Sequence, residues 1–195
     1  MQRIILAFLL FCVVQANAIY ISTSIGDSRI QSHNKIYEPG GIIHYAFEIG
    51  FLNAPNPENI LDYKFAIGID RFGYSHSDGE KSVSLWEVYL KPVVFSVTKH
   101  SVMFEIAPYL GRLLSASGLT DNDNQLLLHT PLGKHITIGN EYRLGYNINE
   151  SFFIGLTANY HYIPYGFHHN EHPHVKADKY LMGGWGLNFQ YNLPW

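Results

Sequence analysis

Over residues 185–195 the chain alternates without a break. Trp185, Leu187, Phe189, Tyr191, Leu193 and Trp195 take the odd positions, and Gly186, Asn188, Gln190, Asn192 and Pro194 take the even ones. Side chains of a strand project to opposite faces in turn, so this segment has one apolar wall and one small or polar wall. The same period recurs upstream, where Ile43, Tyr45, Phe47, Ile49 and Phe51 oppose His44, Ala46, Glu48 and Gly50. It recurs again where Phe152, Ile154, Leu156, Ala158, Tyr160 and Tyr162 oppose Gly155, Thr157, Asn159 and His161. Eight segments of this character are predicted, at 19–27, 40–51, 60–74, 81–97, 101–113, 135–147, 151–165 and 179–195. Their polar faces carry charges that a soluble sandwich would not bury, which turns the apolar faces outward, toward lipid.

Most segments exceed the roughly 9 to 11 residues with which a tilted strand crosses a bilayer. The connections after the second, fourth and sixth segments are short: Leu52 to Asn59, Thr98 to His100 and Asn147 to Glu150. Those after the first, third, fifth and seventh are mostly longer and more polar, with Leu114 to Lys134 and Gly166 to Asp178 the extremes. An even strand number with alternating short and long connections is the pattern of bacterial outer-membrane barrels, whose short turns face the periplasm. The pattern therefore predicts an all-β fold, an eight-stranded antiparallel transmembrane up-and-down β-barrel with both termini periplasmic.

The other end of the chain fits export. Residues 1–18 read as a signal peptide, with a basic start at Arg3, an apolar run from Ile4 to Val14 and Ala16-Asn17-Ala18 for cleavage. That run spans about eleven residues, whereas a membrane-spanning helix needs about twenty. Residues 19–195 are then one outer-membrane barrel domain. The single cysteine, Cys12, lies in the leader behind the bulky Phe11, so no lipidation is expected there. Without the leader, 12 Lys and Arg face 16 Asp and Glu, a net of −4, and the chain has no general attraction for nucleic acid. Aromatic residues at 15% and 17 Gly fit strands that offer rings to lipid and close backbone approach within.

Extending the register gives an inward polar set: Glu48, Asp62, Lys64, Asp70, Glu87, Lys91, Glu105, Glu141 and Arg143, with His44 and His161. The interior of eight strands is just wide enough for side chains to fill. These groups are expected to plug the lumen with ion pairs, because buried charges must be paired. A narrow cation-preferring pore, or a proton-sensitive gate in which His44 and His161 titrate against the acids, is the alternative.

The barrel resembles the small OmpA/OmpX-like outer-membrane proteins. The resemblance implies insertion by the barrel assembly machinery, contact with outer-membrane lipid and lipopolysaccharide, and loops free to meet a host or surface ligand. The segment from Gly155 to Phe167, GLTANYHYIPYGF, resembles the late strand of the PagL-like lipid A deacylases, with Glu87–Phe95, Val102–Gly111 and Ile136–Tyr146 lying where that family has comparable strands. In those enzymes a His-x-Ser pair on the outer wall attacks an acyl ester. Matching His161 to the histidine puts Ile163 in the place of serine, and a gapless match puts Tyr160 and Tyr162 at the two positions. Ester hydrolysis by this route needs a hydroxyl beside a base, and isoleucine has none. His161 remains the one catalytic candidate. The chain is expected to be a noncatalytic barrel whose loops serve adhesion, interaction or envelope integrity. A lipid A or phospholipid esterase and a narrow pore stand as alternatives.

Two connections carry candidate chemistry. In FHHNEHPHVK, His168, His169, His172 and His174 surround Glu171, a composition that can hold a divalent metal weakly. Pro173 keeps the tract from a regular helix, and the other reading is a polar loop that gains charge below about pH 6.5. Asp121-Asn122-Asp123-Asn124 lacks the glycine and distal glutamate of a helix-loop-helix calcium loop, and Leu126–Leu128 beside it offer a contact for a partner or for lipid headgroups.

Overall fold

The computed structural model describes residues 18–30, 41–52, 61–75, 82–117, 136–163 and 180–194. Residues 1–17 of the expected leader, the histidine tract, the Asp/Asn cluster and Trp195 lie outside them, and Ala18, the last residue of that leader, opens the first strand. The strands are β1 (Ala18–Ile30), β2 (Ile42–Leu52), β3 (Leu61–Ser75), β4 (Ser82–Lys99), β5 (Val102–Ser117), β6 (Ile136–Asn147), β7 (Phe152–Ile163) and β8 (Tyr180–Pro194). Each pairs antiparallel with the next, and β8 returns to β1 to close the barrel. The closing ladder runs from Ala18 opposite Pro194 to Ile30 opposite Met182. Every strand edge is paired, which is what a sheet in hydrocarbon requires.

The expected segments match these strands, with two extensions. β1 reaches Ile30 because Ser28, Arg29 and Ile30 continue the ladder against Gly184, Gly183 and Met182. β5 reaches Ser117 because β4 starts early enough to pair it with Ser84. On β8, Trp185 is 64% exposed and Leu187 47%, while Asn188 and Gln190 are buried, so the terminal alternation separates the outer wall from the lumen. Ile43, Tyr45, Phe47 and Ile49 of β2 share the outer wall, and His44, Ala46 and Glu48 face in.

Strict alternation fails in β4. Val83, Leu85, Glu87, Tyr89 and Lys91 face in, but beyond Pro92 the buried residues are Val94 and Ser96, and Phe95 faces out. The register shifts against both neighbours: Lys91 lies opposite Ala66 and Val94 opposite Lys64, while Leu90 lies opposite Leu110 and Phe95 opposite Ile106. One extra residue on β4 changes the parity, and proline, which cannot donate to the ladder, is tolerated at such a bulge.

Inward tyrosines lie over glycines of the neighbouring strand. Tyr20 is opposite Gly50, Tyr89 opposite Gly68 and Tyr109 opposite Gly139. A Cβ on any of these glycines would overlap the facing ring. Each missing side chain is thus the space in which a large ring lies flat across the narrow lumen.

The β4–β5 hairpin turns on His100 and Ser101, with φ of 49° and 66°. Two consecutive residues at positive φ match the twist of a two-residue hairpin, but neither is the Asn or Gly such a turn favours. The double change His100→Asn with Ser101→Gly is expected to raise stability by about 1 kcal/mol. Urea unfolding in detergent micelles, followed by tryptophan fluorescence, measures it; an unchanged midpoint would show that the turn stores no strain.

Candidate functional site

The lumen is filled in three levels. The level nearest the short turns is organised by Glu48, which is 1% exposed. Tyr20 donates its hydroxyl proton to Glu48 Oε1 at 2.8 Å and Tyr89 donates to Oε2 at 3.0 Å. Lys91 binds Oε2 directly, and Arg143 Nη2 reaches Oε1 at 3.0 Å. Lys91 also meets Glu141 at 2.8 Å, and Arg143 Nε lies 2.5 Å from the same carboxylate. Lys64 pairs with Glu105, whose other oxygen is 3.6 Å from Arg143 Nη1. Three cations and three carboxylates from five strands therefore close on one another, and their total charge is zero.

The middle level is built differently. Asp70 Oδ1 lies 2.8 Å from His44 Nε2, and Asp70 Oδ2 lies 3.4 Å from His161 Nε2. His161 Nδ1 is 2.9 Å from Glu87 Oε1, and Thr137 donates to Glu87 Oε2 at 2.5 Å. Tyr109 approaches His161 Nδ1 at 2.6 Å and the Tyr160 carbonyl at 3.1 Å, and Asn159 Nδ2 approaches His44 Nε2 at 2.9 Å. Above this level, toward the long connections, Phe72, Tyr74, Val83, Leu85, Leu113, Ile163 and Met182 form an apolar cluster. Phe72 stacks on the His161 ring with centroids 3.9 Å apart.

The structure brings together His44, Glu48, Lys64, Asp70, Glu87, Lys91, Glu105, Glu141, Arg143 and His161 on the inner face, all buried. Asp62 pairs through its backbone with Ser96, and its side chain lies outside the described residues. His168, His169, His172 and His174 lie outside them as well. Sequence reasoning missed the three inward tyrosines and the apolar cluster. The register carried both: on β3 the even positions that hold Asp70 continue to Phe72 and Tyr74, and on β4 the odd positions that hold Glu87 include Val83, Leu85 and Tyr89.

The closed eight-stranded architecture recurs among solved structures. The crystal structure of Neisserial surface protein A superposes with a TM-score of 0.51 at 13% identity, covering 91% of this chain and 97% of that one. The chain has the fold of the small eight-stranded outer-membrane barrels. Ail, the attachment invasion locus protein of Yersinia pestis, is similar at a TM-score of 0.46 and 15% identity, over 91% of this chain and 99% of that one. The N-terminal β-barrel domain of Pseudomonas aeruginosa OprF is similar at 0.42 and 12%, over 90% and 98%. No family model and no curated protein matches the chain.

Within this fold the two placements of the deacylase pair diverge. His161 and Ile163 both point into the lumen and are 1% exposed, so neither reaches lipid. Tyr160 and Tyr162 lie on the other face of β7, and Tyr160 makes an edge-on contact with Tyr142 at 6.3 Å. Among the described residues no histidine shares that face with Tyr160.

Glu48→Gln leaves Lys91 and Arg143 facing one fewer carboxylate inside the wall and is expected to destabilise the barrel by about 3 to 5 kcal/mol. Asp27→Asn, which breaks the exposed 2.7 Å pair with Arg29, should change stability by no more than about 1 kcal/mol. Urea midpoints of the two variants test the contrast; equal effects would mean that the Glu48 cluster contributes no more than a surface pair.

Proposed function

We propose that this chain is a noncatalytic protein of the bacterial outer membrane, which holds its long connections at the cell surface for adhesion, surface interaction or envelope integrity. The observation that carries the reading is an apolar outer wall around a lumen filled by paired charges and capped by an apolar cluster. An outer wall of Ile, Leu, Phe, Tyr and Trp suits lipid and lipopolysaccharide acyl chains. Arg71 lies over the Tyr45 ring at 5.3 Å, and Tyr45 meets Trp86 edge-on at 5.3 Å. This aromatic and cationic group sits toward the long connections, where side chains meet headgroups. Both termini are then periplasmic, and barrel assembly machinery inserts the chain.

The filled lumen speaks against a steady pore, and the inward His161 and Ile163 speak against ester hydrolysis by a wall-mounted pair. The proposal places recognition in the segments 31–40, 76–81, 118–135 and 164–179, as is usual for loops carried on a rigid scaffold. An epitope inserted in 118–135 is expected to be bound by antibody on intact cells, with no conductance in planar bilayers and unchanged lipid A by mass spectrometry. Loss of an acyl chain from lipid A would replace this reading with an esterase, and stable single-channel currents would replace it with a pore.

A further inference from the structure

The lumen divides into two electrostatic halves. Among the described buried residues, Glu48, Glu105 and Glu141 are matched by Lys64, Lys91 and Arg143. Asp70 and Glu87 remain in the middle level, where among the described residues the side chains they pair with as cations are the two histidines. Two ionised carboxylates enclosed by a barrel wall call for two matching positive charges. Two imidazolium ions would supply them, and so would one divalent cation.

The geometry points to the cation: we propose that His44, Asp70 and His161 form a divalent transition-metal site of the zinc class, with Glu87 as the outer carboxylate that orients His161. One ligand atom from each of the three residues falls within 4.8 Å of the others. The Nδ1 of His161 lies 2.9 Å from Glu87 Oε1 and 2.6 Å from the Tyr109 oxygen, so a proton on Nδ1 is shared between these two acceptors while the Tyr109 hydroxyl donates to the Tyr160 carbonyl. That tautomer leaves the Nε2 lone pair free, 3.4 Å from Asp70 Oδ2, and Nε2 has no hydrogen-bond partner. A bare nitrogen 3.4 Å from a carboxylate oxygen is repulsive when nothing lies between them. With metal–ligand bonds of about 2.0 to 2.1 Å, two ligands of a tetrahedral zinc stand about 3.4 Å apart. The separation is thus that of two groups sharing one ion.

His44 places its Nε2 2.8 Å from Asp70 Oδ1, the other oxygen of the same carboxylate. Its Nδ1, Asp70 Oδ1 and Asn159 Oδ1 are likewise buried without hydrogen-bond partners. A histidine ligand held through its second nitrogen by a carboxylate is the usual outer arrangement of zinc sites. Neutral histidines, Asp70, Glu87 and one divalent ion sum to zero charge. Phe72 and the apolar cluster close the site on the side of the long connections, so the ion would act as a structural lock of the lumen.

The test uses the full chain with His168, His169, His172 and His174 changed to alanine, so that the loop tract contributes no sites. This protein is refolded in detergent with Zn(II), freed of excess metal by gel filtration and analysed for zinc. The expected result is about one zinc per chain, a raised urea midpoint relative to protein refolded with chelator, and tetrahedral Co(II) absorption when cobalt replaces zinc. Adding Glu87→Gln should weaken binding by about 10- to 100-fold while the barrel still folds. Adding Asp70→Asn should abolish the cobalt bands. A folded loop variant that retains no zinc and gives no cobalt spectrum overturns the site and leaves the two charges to protons. Zinc binding that survives both Glu87→Gln and Asp70→Asn unchanged also overturns it.

Discussion

A charge inside an eight-stranded barrel has to find its partner within the same narrow lumen, because beyond the single layer of strands lies hydrocarbon. Glu48 shows what that constraint requires. Its two oxygens are approached by Tyr20, Tyr89, Lys91 and Arg143, from β1, β4 and β6. None of these approaches is local, and Arg143 lies 95 positions from Glu48. A one-residue slip of any strand would turn these groups into the wall and send Phe47 or Leu144 inward. Register and charge pairing therefore fix each other: the ion pairs hold the polar face inside, and the apolar face keeps the ions at distances where their attraction is strong.

Irregularities elsewhere serve the same arrangement. With uninterrupted alternation after Lys91, β4 would bring Val93 and Phe95 inward and turn Ser96 to lipid. The extra residue at Pro92 lets Lys91 reach Glu48 and Glu141 while Phe95 joins the outer wall and Val94 and Ser96 fill the lumen below. The inward glycines make the other adjustment. Gly50 and Gly68 give up their side-chain volume to Tyr20 and Tyr89, whose hydroxyls then reach Glu48. Gly111 leaves room for Glu87 to accept from Thr137, since a Cβ there would strike both side chains.

Parity along a strand is a local property, and local properties were legible in the sequence: the eight strands, their order, and the inward direction of residues such as Glu48, Glu105 and His161. Bulges were not legible, because the extra residue at Pro92 is defined only against β3 and β5. Height within the barrel was not legible either, since it follows from the stagger of all eight strands. His44 and Asn159 are 115 positions apart and meet only because β2 and β7 bring them to the same level across the lumen. The inward set could be read as a mixture of acids, bases and histidines, yet nothing local divides it into a level that balances itself and one that does not. The apolar cluster was hidden for a related reason: Phe72 and Leu85 look like lipid-facing residues until their parity is tied to Asp70 and Glu87.

That division separates two ways of balancing charge within one lumen. The level around Glu48 is neutral from its own side chains, so the half of the barrel nearest the short turns needs nothing from outside to close. The level around Asp70 pairs its carboxylates with histidines rather than with lysine or arginine, and it lies directly beneath the cluster of Phe72, Leu85, Ile163 and Met182. Those residues sit at the ends of β3, β4, β7 and β8 that carry the connections 76–81 and 164–179. The Phe72 ring stacked on His161 joins the middle level to the roots of those connections.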